Sequence, residues 1–407
     1  MIERLPLWRN RDYMLLWSGQ ALSLLGTEAS QLAFPLLILA LTGSPAQAGI
    51  ASALRAFAYL LFSLPAGAIV DRWDRRHLMI VCDSGRALVL GSIPLAFLLG
   101  HLTIIQLYLV SLIEGMLFVF FDLAAAACLP RLVLKEQLPS ATAQDEVMRN
   151  TAFLVGPPLG GLLYQVGHVL PFLADALSYV WSTWLLLLIK TPFQQERTAT
   201  PRKLHAEILE GLSWLWHQPL IHTMVILGSG FNFVFAGQTL IVIILARQQH
   251  VLPVFIGLIF TIAGGGGIVG ALCGPFLQRR LSFGQGIIGA CWMYALLWAL
   301  YAIGPNVVVL CAVTTGFFLV SPIYDVVQFS YSLALVPDAL QGRVRSASRM
   351  VMYTLIALGQ ALTGIMLQHF GPLPTVLLFW IGILTLAVLA TVSRHIRHAP
   401  PLTQVQS

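Results

Sequence analysis

Runs of about 20 apolar residues, the length that carries an α-helix across a hydrocarbon core of about 30 Å, recur along this whole 407-residue sequence. They fall at about 14–41, 46–70, 77–100, 102–126, 147–166, 169–190, 220–245, 253–277, 283–303, 306–332, 345–369 and 372–394. Inside lipid such segments satisfy their backbone hydrogen bonds internally, as helices. Charged residues make up only 10% of the chain and hydrophobic residues 57%, against about 25% charged for a soluble domain. The pattern predicts an all-α membrane protein of twelve transmembrane helices. The residues before the first span carry Arg4, Arg9 and Arg11. The span after them is longer than a signal core, so no cleaved leader is expected.

The charge distribution sets the topology. With both termini on the cytoplasmic side, every one of the 23 Lys and Arg residues lies in a cytoplasmic segment or span end, except Arg55, Arg86 and Arg247. That asymmetry is the positive-inside bias of a multi-pass protein in the cytoplasmic membrane. The net charge of +6 therefore reports orientation, and no nucleic-acid partner is expected. The five cysteines, Cys82, Cys128, Cys273, Cys291 and Cys311, all sit in apolar spans without paired spacing. They read as buried, reduced thiols, with no disulfide framework and no metal site.

A polar interruption at 191–219 divides the chain into a six-helix bundle at 1–190, a cytoplasmic linker, a second bundle at 220–394 and a cytoplasmic tail at 395–407. In the linker, Leu204, Ile208, Leu212 and Leu215 share one helical face beside Trp214 and Trp216, which predicts an amphipathic helix at the membrane surface. The halves match at an offset of about 203 residues: Gly67 falls opposite Gly270, Asp122 opposite Asp325, and "VGPPLGGLLYQ" opposite "LGQALTGIMLQ". Two pseudo-symmetric parallel halves are a transporter architecture, with the substrate site near the midplane.

Charge is also concentrated locally. "GAIVDRWDRR" places five charged side chains in the six positions Asp71 to Arg76. The pattern of Gly67, Asp71, Arg72, Arg75 and Arg76 between the second and third spans resembles the signature loop of the major facilitator superfamily. Four further stretches are similar to the branch that contains enterobactin exporters and macrolide efflux pumps: "RNRDYMLLWSGQALSLLG", "ACLPRLVL", "EGLSWLWHQP" and "LVPDALQGRVRSASRM". The resemblance implies export of a bulky, partly hydrophobic small molecule by alternating access. It implies a proton gradient as energy source, no bound cofactor, and function as a monomer. It implies that Asp71 contacts the start of the eleventh span near Arg345 and Arg349, forming a one-sided latch. "GPPLGG" in the fifth span, with Gly156, Pro157, Gly160 and Gly161, resembles the antiporter motif of drug–proton exchangers. Its small residues equally suit close helix packing. Ser111 stands where many such exchangers carry an arginine in the fourth span, so proton coupling through that residue is not carried over.

An ionised side chain at bilayer depth costs about 2.5–3.5 kcal/mol on insertion scales, which makes each one a functional candidate. Glu28 lies mid-span with Gln20, Ser23, Thr27 and Gln31 on one side, Glu114 lies mid-span in the fourth helix, and Arg55 in the second is a candidate partner. In the superfamily the first, fourth, seventh and tenth spans line the central cavity, which adds Asn232, Gln238 and Asp325 to the coupling and substrate candidates, with Tyr324, Gln328 and Gln360 beside them. Asp83 and Arg86, three apart, suit a local ion pair, and Asp175 reads as structural. Phe231, Phe233 and Phe235 could stack on a drug-like ligand, but read more readily as lipid-facing or packing residues.

An importer or lipid flippase of the same fold is the alternative reading. An enzyme is not supported, because the ten histidines are scattered and no HExxH, GxSxG or GxxxxGK[ST] pattern occurs. A channel fits two pseudo-symmetric halves less well than alternating access does.

Overall fold

The computed structural model describes residues 6–191, 193, 213–214, 216–303, 306–336 and 338–397. Within its helices the side chains of several positions, among them Asp71, Arg279 and Arg345, lie outside that description. The apolar face of the linker, and most of the linker with it, also lies outside the described residues, as does the end of the tail.

Six helices follow one another first: α1 (Arg11–Thr42), α2 (Pro45–Arg72), α3 (Arg75–Leu98), α4 (Ile104–Leu132), α5 (Leu138–Val166) and α6 (Leu170–Leu188). Then come α7 (Pro219–Phe235), α8 (Gln238–Gln248), α9 (Pro253–Arg280), α10 (Phe283–Ile303), α11 (Val307–Leu335), α12 (Asp338–Phe370), α13 (Pro372–Val392) and a short α14 (Arg394–Arg397). Ten segments among the described residues are long and apolar enough to cross a membrane, α7 and α8 counting as one. The 28-residue α2 and 29-residue α5 complete a twelve-helix, all-α membrane fold. Both are rich in Ala, Gly, Ser and Pro, a composition that favours close helix contact over hydropathy.

The sequence suggested one unbroken seventh span; the structure divides it at Ala236 and Gly237. A Cβ at Gly237 would run into the Thr363 side chain of α12, so close packing imposes glycine where glycine also weakens the helix. The thiols are all free, yet Cys273 is exposed and Cys311 only half-buried, so only three of the five are buried small hydrophobes.

Short connections are written in local chemistry. Ser44, Asp74 and Thr103 each cap the helix that follows by accepting from the backbone N–H three residues on. Gly43 takes a left-handed conformation (φ 65°) to end α1, a position that costs other residues strain.

The chain folds into two units, one comprising Met1–Pro201 with Leu252–Leu258, the other Arg202–Val251 with Ile259–Ser407. In the first, α1 packs on α5 and α6, α2 on α4, and α3 on α4 and α6. In the second, α10 packs on α11 and α13, and α7 on α12.

Candidate functional site

The signature loop is built mainly as an anchor. Asp74 accepts from His77 N at 2.7 Å and starts α3. Arg75 is buried and donates to the Ala127 carbonyl at 2.8 Å, near the end of α4. Arg76 donates to the Leu186 and Leu187 carbonyls at 2.9 and 2.6 Å, closing the end of α6. Cations there satisfy carbonyls that a helix end leaves open. Asp12 does the complementary work, accepting from Thr191 N at 2.9 Å, and Asn10 donates to the Leu132 carbonyl at 2.6 Å. Arg72 is exposed, and a Cβ at Gly67 would meet nothing within 4 Å. The latch expected between Asp71 and Arg345 falls on side chains outside the described residues; Arg349 is exposed.

The antiporter-like motif of α5 lies against α1. A Cβ at Gly156 would collide with Glu28 Cβ, and one at Gly160 with the Ala29 carbonyl. Gly161 meets the Pro253 carbonyl in the segment of α9 that belongs to the same unit. Pro157 is buried beside these glycines. The motif therefore sets how closely α5 approaches the helix that carries Glu28.

Between these elements lies a buried charge network. Arg55 of α2 reaches Glu114 of α4 with Nε 2.9 Å from Oε2. Arg86 of α3 reaches the other oxygen of Glu114 at 2.7 Å. With its amide oxygen turned to the guanidinium, Gln31 accepts from Arg55 at 3.1 and 3.2 Å. A Cβ at Gly115 would stand 2.7 Å from the Arg55 carbonyl, so that glycine lets α2 approach α4 closely enough for the pair to form. Arg86 also lies 4.1 Å over the Tyr179 ring of α6, a favourable cation–π placement away from water. Tyr179 bonds Thr27 of α1 at 2.5 Å, and Asp175 accepts from Ser30 at 2.5 Å and from Ser178 at 3.4 Å. Arg86 and Asp83 stand 4.0 Å apart, so the main partner of Arg86 is Glu114, from another helix.

Glu28 is half-buried and makes no hydrogen bond or ion pair with a described residue. Four carboxyl groups, Glu28, Asp83, Glu114 and Asp175, thus share the middle of the bundle with two guanidinium groups, Arg55 and Arg86. Ser111 is buried one turn before Glu114; the guanidiniums of this site come from α2 and α3 instead.

A cleft of about 430 Å³, counted to its open mouth, runs into the network. Gln20, Ser23 and Thr27 of α1 form a polar stripe along it, with Phe118, Met148 and Arg86 among its other walls. Asp122 and Arg149 also line it and pair at 3.3 Å.

The second unit holds its predicted residues differently. Gln238 is buried and donates to Tyr301 at 3.0 Å. Asn232 bonds the Gly228 carbonyl of its own helix at 2.8 Å. Gln328 donates to the Met224 carbonyl at 3.2 Å. Asp325 is exposed and accepts from Ser321 at 3.2 Å. Phe231, Phe235, Tyr294, Trp298 and Phe317 form one aromatic cluster, with centroids 4.9 to 5.8 Å apart in the pairs that link them.

Residues 5–400 match the family model described as transmembrane secretion effector. The chain belongs to that family, a branch of the major facilitator superfamily. It is 25% identical to macrolide efflux protein A of Streptococcus pyogenes, over 97% of this chain and 99% of that protein. It is 25% identical to the enterobactin exporter EntS of Escherichia coli O9:H4, over 91% of this chain and 89% of that protein. The fold is similar to that of the nucleoside transporter NupG, with TM-score 0.76 and 15% identity, over 96% of this chain and all of that one. As a member of this family the chain is a multi-pass membrane transporter and not an enzyme. Asp83 and Arg86 read from the sequence as a local ion pair and Asp175 as structural; the structure adds the contact of Arg86 with Glu114. The available signal was the presence of three further ionisable residues inside apolar spans.

Proposed function

We propose that this protein is a secondary active exporter that moves a bulky, partly hydrophobic small molecule, of macrolide, other drug or siderophore-like chemistry, out of the cytoplasm by alternating access in exchange for protons. The reading takes both termini as cytoplasmic and the monomer as the working unit. One observation carries it: a cleft that ends on Arg86 of a buried network in which four carboxyl groups face two guanidiniums. Burying unbalanced carboxylates is costly, so such a network favours holding a proton, and a cleft reaching it gives that proton and a ligand a shared surface. Glu114, bridged by Arg55 and Arg86, holds the network together. Glu28, beside Gly156, makes no hydrogen bond among the described residues and feels the Arg55 charge, which leaves its oxygens free to take a proton. The macrolide and siderophore classes rest on the similarity to the two exporters.

The test is uptake of a radiolabelled macrolide and of a catecholate siderophore into inverted vesicles of a pump-deficient host, with an acid-inside gradient. Accumulation of either that collapses with the gradient supports the reading. Accumulation that survives collapse of the gradient overturns proton exchange, and gradient-driven loss from the vesicles favours the importer.

A further inference from the structure

One of the four carboxyl groups of the network, Asp83, has as yet no role of its own. Asp83 of α3 is fully buried, at 0% exposure, and neither of its oxygens has a hydrogen-bond partner among the described residues. The groups that face it can be named helix by helix. On α3 itself they are Arg86 at 4.0 Å and the Cys82 thiol. On α6 it faces the Ser182 hydroxyl, while Asp175 is taken by Ser30 and Ser178. On α4 the charge of the network is Glu114, paired with Arg86 at 2.7 Å.

A carboxylate in that position, away from water, with only the Ser182 hydroxyl facing it and Arg86 no closer than 4.0 Å, is among the most expensive groups a protein can bury. A neutral carboxylic acid there is tolerable. Arg86 is also incompletely held: one terminal nitrogen bonds Glu114 at 2.7 Å, the other points to Asp83 at 4.0 Å, and its Nε has no partner among the described residues. Charge-assisted N–H···O bonds close to about 2.7–2.9 Å, so a shift of roughly 1 Å would bring Arg86 onto Asp83. Glu114 would not be stranded by that shift, because Arg55 remains 2.9 Å from its other oxygen. The Tyr179 ring, 4.1 Å from the guanidinium carbon, gives Arg86 a face to slide across.

We propose that Asp83 is the proton-binding carboxyl of the N-terminal bundle, and that Arg86 moves between Glu114 and Asp83 as that proton is bound and lost. With the proton on Asp83, Arg86 stays on Glu114, as seen here. When the proton leaves, Asp83 becomes anionic and draws Arg86 to itself. Arg86 lines the cleft, so the same shift changes the wall that a ligand meets beside Thr27 and Phe118. The proposal deepens the proton-exchange reading and rests on it for its role in transport.

The experiment is infrared difference spectroscopy on the purified full-length protein in lipid, stepped between acidic and alkaline buffer with no ligand present. The expected result is a protonated-carboxyl band that appears on acidification, is lost in Asp83→Asn and reappears at a displaced frequency in Asp83→Glu. A band identical in wild type and Asp83→Asn overturns the assignment. If Asp83→Asn fails to fold, an undisplaced band in Asp83→Glu overturns it in the same way. The spectra need neither substrate nor gradient. Wild-type spectra with the Asp83 band but no gradient-driven transport would count against proton exchange alone. Gradient-driven transport with spectra indifferent to Asp83 would count against this assignment alone.

Discussion

At the shared offset of about 203 residues, Glu28 of the first bundle falls opposite Phe231 of the second, and Glu114 falls opposite Phe317. The first bundle builds its middle from ion pairs, Arg55 and Arg86 on Glu114. The second builds its middle from rings, with Tyr294 stacked on Phe317 at 5.6 Å and Gln238, Tyr301 and Thr314 in a short hydrogen-bond chain. The close contacts around them are alike. Gly156 meets α1 at Glu28, and Gly359, its counterpart, meets α7 at the Phe233 carbonyl. One helix-packing scheme thus carries two kinds of core. A charged core responds to protons and ions; an aromatic core holds shape. The difference makes the first bundle the place to test for energy coupling and the second the place to test for rigid support.

The largest expected effect comes from breaking the charged core. Glu114→Ala leaves two guanidiniums without their carboxylate and is expected to destabilise by about 3–5 kcal/mol, read by thermal or denaturant unfolding in detergent. Next is the helix contact that both halves share. Gly160→Val must push α5 away from the Ala29 backbone, which cannot yield as a side chain could, at a cost of about 1–3 kcal/mol. Phe317→Leu is expected to cost less than about 1.5 kcal/mol, because apolar volume is nearly kept. The smallest effect is that of Gly67→Ala, which meets open space and is expected within about 0.5 kcal/mol of wild type. A Phe317→Leu loss as large as that of Glu114→Ala would erase the contrast between the halves.

Particular residues show what the sequence made legible. The apolar runs marked the helices, because length and hydropathy suit ten of the described segments to lipid. Glu114 and Arg55 stood out as ionisable residues in spans, and the structure puts them 2.9 Å apart. Arg86 did not stand out, because a spacing of three from Asp83 suggests a local pair, whereas the stronger contact reaches across to α4. Arg75 and Arg76 read as loop charge, because the carbonyls they cap lie 52 and 110 residues away. The break at Gly237 was hidden for the same reason: the Thr363 side chain that requires it belongs to a distant helix. Periodicity reports what one helix presents, and these features belong to pairs of helices.

The most direct test of the central claim compares Glu114→Gln with Phe317→Leu in proteoliposomes loaded with a labelled macrolide. Both arms measure accumulation under an imposed proton gradient and exchange without one. Glu114→Gln is expected still to exchange the ligand but no longer to accumulate it, while Phe317→Leu does both. A Glu114→Gln protein that accumulates ligand to the wild-type ratio would contradict the claim.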